Sequence, residues 1–197
     1  SIFKVKYSVA SLPLSEFPLP PEEVPVVHLS TPEPLKAIYM TSCVAGTPSW
    51  RGNLKMLIEQ SELNSVVIDI KDYTGRVAFP NDFPKNASGR GCEVRDLKEF
   101  VAALHQSGIY VIGRISVFQD PSYSTLFPEL AVKSLSTGSV WHDYKGISFI
   151  DVGAKPYWDY IIQISRQAYE LGFDELNYDY VRYPSDGNME DVSYTWS

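Results

Sequence analysis

The stretch Phe173-Asp174-Glu175-Leu176-Asn177-Tyr178-Asp179-Tyr180-Val181-Arg182-Tyr183-Pro184-Ser185-Asp186-Gly187 decides the reading of this chain. It follows Gly172, a helix stop, alternates as a strand does, and ends in a Pro-Ser-Asp-Gly turn. One face of the alternation carries Asn177, Asp179 and Val181; the other carries Leu176, Tyr178 and Tyr180. A half-polar strand in an otherwise apolar sheet pattern is costly unless its polar groups are paired or used. The residues upstream read as scaffolding that leads to this strand.

Immediately before it, Lys155 to Leu171 has the period of an amphipathic helix, with Trp158, Ile161, Ile162, Ser165, Ala168 and Tyr169 expected on the buried side. Further back the same alternation of element types repeats. Strands are predicted at Ala37–Thr41, Ser65–Asp72 and Tyr110–Phe118, and helices at Ser49–Leu63 and Val94–Gln106. Asp120-Pro121 opens another helical stretch, with proline in the first turn. The segment from there to about Val152 reads as irregular. Strands separated by helices imply parallel pairing with right-handed crossovers. A doubly wound sheet keeps its strands apolar on both faces, and these strands are not. The fold class is therefore α/β, a parallel (β/α) barrel of TIM type. Four strand–helix units are present, half of such a barrel.

Residues 1–35 hold seven of the 14 prolines. Proline fixes φ and removes a donor, so this is an extended lead-in rather than a helix. The alternation Phe3–Val9 predicts a short edge strand. Residues 36–197 form the strand–helix domain.

The 197 residues carry a net charge of −7. No basic stripe is available for phosphate backbones, which argues against nucleic acid as a partner. No apolar run is long enough for a bilayer, so no membrane contact is expected. No secretory leader is visible, but the chain starts at Ser1 without Met, which leaves the compartment open. Cys43 and Cys92 have no metal-type spacing. Each follows a predicted strand, so they can meet at one end of the fold; two free thiols are the expectation and a disulfide the alternative. The histidines, His28, His105 and His142, form no motif, and His105 is expected to be exposed or capping.

Assigning the inner face strand by strand gives Tyr39 and Thr41, then Asp69 and Lys71, then Arg114 and Ser116, then Asn177 and Asp179. In every strand the polar residues gather toward the C-terminal end, where barrel enzymes hold their sites. An internal ion network would look similar, with Arg114 paired to Asp69 or Asp179 and Lys71 to Asp72. Buried ion pairs are weak stabilisers, however, and four strands repeating the placement favours use. Paired carboxylates suit glycosidic bond cleavage, in which one acid protonates the leaving oxygen and a second carboxylate attacks the sugar or activates water. Neighbouring strands lie about 4.8 Å apart, so Asp69 and Asp179 can face each other across roughly 10 Å of backbone. The second carboxylate can equally come from a later strand. Asp69, Asp72, Asn177 and Asp179 are hard oxygen ligands, but Lys71 and Arg114 already supply positive charge, so no metal and no cofactor are expected.

The blocks Lys36–Thr41, Asn64–Gly75, Gly108–Asp120 and Phe173–Gly187, in order and at fitting spacing, resemble a bacterial family of glycosyl-hydrolase-like proteins with a TIM-barrel domain, otherwise of unknown function. The resemblance runs from about residue 36 to the end and implies a (β/α)₈ fold with carbohydrate hydrolysis. Barrel glycosidases of wider kinds commonly place a catalytic carboxylate at the end of strand four, which matches Asp179, and often a partner on a later strand. The expected activity is a glycoside hydrolase with Asp179 and Asp69 as catalytic carboxylates. Tyr39, Lys71, Asp72, Arg114, Asn177, Arg182 and Trp141 are the substrate-binding candidates, with Trp50 and Tyr73 as further stacking platforms. The alternatives are a non-catalytic glycan-binding module and a structural half barrel whose polar face is an oligomer interface. Open edges on the first and fourth strands require cover, from a homodimer, from a C-terminal half that completes the barrel, or from the lead-in. An extracytoplasmic or cell-envelope location is favoured over the cytoplasm.

Overall fold

The computed structural model describes residues 26–84 and 92–197. The predicted edge strand at Phe3–Val9 lies outside them. Four parallel strands form one sheet, β1 (Ala37–Met40), β2 (Ser65–Lys71), β3 (Tyr110–Ser116) and β5 (Glu175–Asp179), in the order β1-β2-β3-β5. They are joined through α1 (Ser42–Ala45) and α2 (Pro48–Glu59), α3 (Leu97–Gln106), and α4 (Pro121–Leu126) followed by α5 (Lys155–Glu170). Neighbours in sequence are neighbours in space, as the crossover rule requires, and the sheet is half a TIM-type barrel.

The core lies between the sheet and α3 and α5. Val66, Ile68, Ile70, Val111 and Ile115 supply the strand side, and Leu97, Val101, Leu104, Ile161 and Ile164 the helix side. Gly113 is required by this packing: a Cβ there would meet Ile70 Cδ1 at 2.0 Å.

The buried stripe of α5 differs from the one expected. Tyr157, Tyr160, Ile161, Ile164 and Ala168 face inward, while Trp158, Ile162 and Tyr169 are exposed. The helix presents two overlapping apolar stripes about 100° apart, and Asp120 selects between them. The Tyr157 hydroxyl lies 2.6 Å from the Val117 carbonyl and 2.9 Å from Asp120 Oδ2 and shares its one proton between these acceptors, so this ring enters the core with its hydroxyl satisfied. The other stripe, with Tyr178 of β5, Val117 and Phe118, lines an open apolar groove of about 580 Å³.

Between α4 and α5 the chain is less irregular than its sequence suggests. β4 (Lys133–Ser134) pairs antiparallel with β6 (Val192–Ser193), and Val132, Trp141 and Phe149 form a second small core. The bottom of the sheet is also more organised. Residues 26–35 cross the N-terminal ends of the strands, where the Leu29 amide donates to Asp174 Oδ1 at 2.6 Å and Asn64 Nδ2 donates to the Pro34 carbonyl at 2.8 Å. His105, expected to be exposed or capping, instead has its side chain buried against Asp174, with Nε2 2.9 Å from Oδ2. Cys43 and Cys92 are not free thiols: they are joined in a disulfide, closing 49 residues of sequence at the C-terminal end of the sheet. Among the described residues no helix is long and apolar enough to cross a membrane.

Candidate functional site

Register places the site. Asp69 lies opposite Arg114, Arg114 opposite Asn177, and Ser116 opposite Asp179. Residues opposed in a parallel ladder share a face, so alternation brings Asp69, Arg114, Asn177 and Asp179 to one side of the sheet.

There Arg114 joins two carboxylates. Its Nη1 donates to Asp69 Oδ1 at 2.8 Å, its Nη2 to Asp179 Oδ2 at 2.7 Å, and its Nε to the same oxygen at 3.0 Å. Tyr39 donates its hydroxyl to the other Asp69 oxygen. Asp179 Oδ1 accepts from the Tyr180 amide at 2.7 Å. The two carboxylates differ in access: the Asp69 side chain is 5% exposed and that of Asp179 45%.

Electrostatics follows the geometry. Partial burial pushes the Asp179 carboxyl up, but hydrogen bonds from Arg114 and the Tyr180 amide, with the charges of Arg114 and Arg182, outweigh it and hold the group below the usual carboxylate range. Burial works against the Arg114 charge too, and its bonds to Asp69 and Asp179 more than restore it. Burial and the bond to Asp69 push the Tyr39 phenol up, so it remains a donor.

The expected set does not all converge here. Lys71 is brought elsewhere by a bulge. The β2–β3 register shifts between Asp69 and Lys71, which sets Lys71 opposite Ile115 on the helix side. There it is 0% exposed, donating to the Ser116 carbonyl at 2.6 Å and paired with Asp120 at 3.0 Å rather than with Asp72. Gly75 closes over this pair: a Cβ would meet Asp120 Oδ1 at 1.9 Å. Asp72 accepts from the amide and hydroxyl of Thr74, which shapes the turn after β2. Thr41 caps α1 and Ser116 bonds the Gln119 carbonyl, so neither side chain is free. Trp141 is 3% exposed, packed in the second core with its indole N–H on the Asn188 carbonyl, and cannot stack on a ligand. Asn177, Trp50 and Tyr73 are exposed. Arg182 donates to Ser185 Oγ at 2.6 Å and lies over the Tyr180 ring at 5.3 Å.

Two participants were not singled out in the sequence. Asp120 was readable as a helix start, which it is, since it accepts from the Tyr123 amide, but nothing local pairs it with Lys71. Tyr180 counted only as an outward strand residue. Among the described residues no three His, Cys, Asp or Glu side chains gather in a metal-holding cluster.

Against known proteins, the family model described as "Putative glycosyl hydrolase domain" matches residues 37–197. No curated protein matches the chain. A solved hypothetical protein from Ruminiclostridium thermocellum is similar at 33% identity and TM-score 0.70, over 80% of this chain and 81% of that one. A GH31 alpha-xylosidase from a soil metagenome, solved with xylose, is similar at 16% identity and TM-score 0.54, over 81% of this chain and 24% of the enzyme. Alpha-L-fucosidase isoenzyme 2 from Paenibacillus thiaminolyticus is similar at 16% identity and TM-score 0.53, over 77% of this chain and 24% of that one. The likeness to these two enzymes is one of fold, and the chain spans about a quarter of their length. The family model covers every strand of the sheet and all of the Tyr39–Asp69–Arg114–Asp179 constellation, and the chain belongs to that glycosyl-hydrolase-like family.

Proposed function

We propose that this domain cleaves glycosidic bonds, with Asp179 as the nucleophile. The observation that carries the reading is the contrast between the two carboxylates on Arg114: Asp179 is half-exposed and held below the usual carboxylate range, whereas Asp69 is buried under Tyr39 and Arg114. An ionised, accessible carboxylate at the C-terminal end of the fourth barrel strand suits attack on the anomeric carbon. Attack forms a glycosyl ester as the glycosidic C–O bond breaks. The departing oxygen takes a proton from a separate acid, and water then releases the sugar with retention. Asp69 acts as a tuner that fixes Arg114. Neither carboxylate on Arg114 suits the acid role, so that group comes from strands beyond these four, supplied by a longer chain or by a partner that completes the barrel. Asn177 and Arg182 flank the nucleophile and position the sugar. The Cys43–Cys92 disulfide supports an extracytoplasmic or cell-envelope location, because cytosolic thiols are kept reduced.

Asp179→Asn, in a form that carries the whole barrel, is expected to lower glycan cleavage at least about a thousandfold while the chain stays folded. Unchanged turnover overturns the assignment. The spent state of Asp69 favours one second reading, a glycan-binding module: oligosaccharide binding by the native chain with no turnover in the complete barrel would establish it.

A further inference from the structure

Arg182 is a fixed cation with an open fork. The residue is exposed, yet three contacts hold its guanidinium. Nη1 donates to the Tyr183 carbonyl at 3.2 Å and to Ser185 Oγ at 2.6 Å. The group lies 5.3 Å from the centroid of the Tyr180 ring, within range of a cation–π attraction. Pro184, between the two acceptors, is buried and so anchors the turn that carries them. Among the described residues no carboxylate pairs with Arg182, and its Nε and Nη2 meet no acceptor. The side of the guanidinium that grips an oxyanion through two parallel N–H bonds is therefore open. The contrast with other arginines of the chain is direct. Arg51 places its two Nη groups on the two oxygens of Asp96, and Arg114 places all three nitrogens on Asp69 and Asp179. Position adds to this. Arg182 follows closely on Asp179 in the chain, and the Tyr180 ring it covers also lies 6.0 Å from the Arg114 guanidinium.

We infer that Arg182 is a specificity-determining residue: its open fork takes an oxyanion carried by the sugar, the carboxylate of a uronate or a sulfate ester, so that the domain acts on acidic glycans. This rests on Asp179 being the reacting carboxylate. A neutral sugar gives the fork only hydroxyl groups, whereas a planar carboxylate meets both of its N–H bonds at once. The contacts to Tyr180, Tyr183 and Ser185 hold the group before the ligand arrives, so little side-chain freedom is lost on binding. An acidic sugar placed beside Asp179 and Asp69 would otherwise be repelled by both. Arg114 cannot offset that repulsion, because its own charge is already taken up by those two carboxylates.

The test is binding, followed by NMR on the native chain. The probes are glucuronate, galacturonate and glucose 6-sulfate, set against glucose and galactose. The chain carries a net charge of −7 and repels anions on average, so a preference for the acidic sugars has to come from a local cation. At least one acidic sugar is expected to bind about tenfold or more tighter than the neutral ones, the scale of one charge-assisted contact. Whether a uronate or the sulfate binds tighter identifies the oxyanion. Arg182→Gln is expected to erase the preference. Arg182→Lys keeps the charge without the fork and is expected to keep only part of it. Equal binding of acidic and neutral sugars, or no binding of any acidic sugar, overturns the inference. So does a preference that survives Arg182→Gln with a folded amide spectrum, or one undiminished in Arg182→Lys. Glycan cleavage enters none of these outcomes, so failure here is separable from failure of the Asp179 assignment.

Discussion

At the scale of single residues, Arg114 is the group on which the constellation depends. Two carboxylates on one guanidinium are tolerable only because each hydrogen bond is charge-assisted and well directed. Arg114→Met removes the charge but keeps much of the stem. Asp69 would then be left buried with Tyr39 alone, and breaking a buried pair in this way costs roughly 3 kcal/mol; urea unfolding at neutral pH measures it. The same variant should raise the Asp179 carboxyl, read by NMR titration. The sign of the pH dependence follows. Asp179 titrates below its unfolded value of about 3.9, so its contribution to stability is in place above that pH and is lost as pH falls through the folded value. In Arg114→Met that acid-limb loss should shrink. These residues were legible because alternation alone puts Asp69, Arg114 and Asp179 on one face. Lys71 was misread for the complementary reason: a bulge reverses the face of every residue after it, and no residue type announces one. Trp141 was misread because a tryptophan in an irregular segment looks exposed until the segment proves to have its own core.

At the scale of elements, α5 sets the most direct test of packing. Its two stripes have similar apolar content, and the sequence offers no means to rank them without the position of Asp120. The structure ranks them: Ile164 is buried and Ile162 is 47% exposed. Ile164→Ala should therefore cost about 2–5 kcal/mol, from lost transfer energy and the cavity left behind. Ile162→Glu should change stability by less than about 0.5 kcal/mol. Urea denaturation of both variants decides it, and a larger loss in Ile162→Glu than in Ile164→Ala would mean that the helix is turned the other way. The four sheet strands and α2, α3 and α5 were readable to within a few residues at their ends, whereas α1 and the β4–β6 pair were not. Period and β-branched content suffice where an element packs on one face. The lead-in was not readable in this way, because residues 26–35 are fixed by backbone groups and by Asp174 and Asn64, which a proline-rich composition does not reveal.

For the whole molecule, the decisive constraint is the Cys43–Cys92 bridge. Among the described residues β1 and β5 each have one edge with no strand beside it and the groove beside α5 is open, so the half barrel they form buries less than a closed barrel would. A covalent tie then matters more. It joins α1, just after β1, to the segment that leads into α3, so it spans the first two strand–helix units at the end where Asp179 lies. Closing 49 residues corresponds to about 4 kcal/mol of unfolded-chain entropy, and measured effects run about 2–4 kcal/mol. Both half-cystines are exposed, so a reductant can reach them in the folded state. Urea unfolding with and without a phosphine reductant should show the midpoint fall on reduction, and Cys43→Ser combined with Cys92→Ser should reproduce the reduced curve without reductant. The slope of the transition should steepen, because the unlinked chain exposes more surface when it unfolds. A midpoint indifferent to reductant in the native chain would mean that the two units hold together without the bridge, and that the sheet core alone carries the stability of the half barrel.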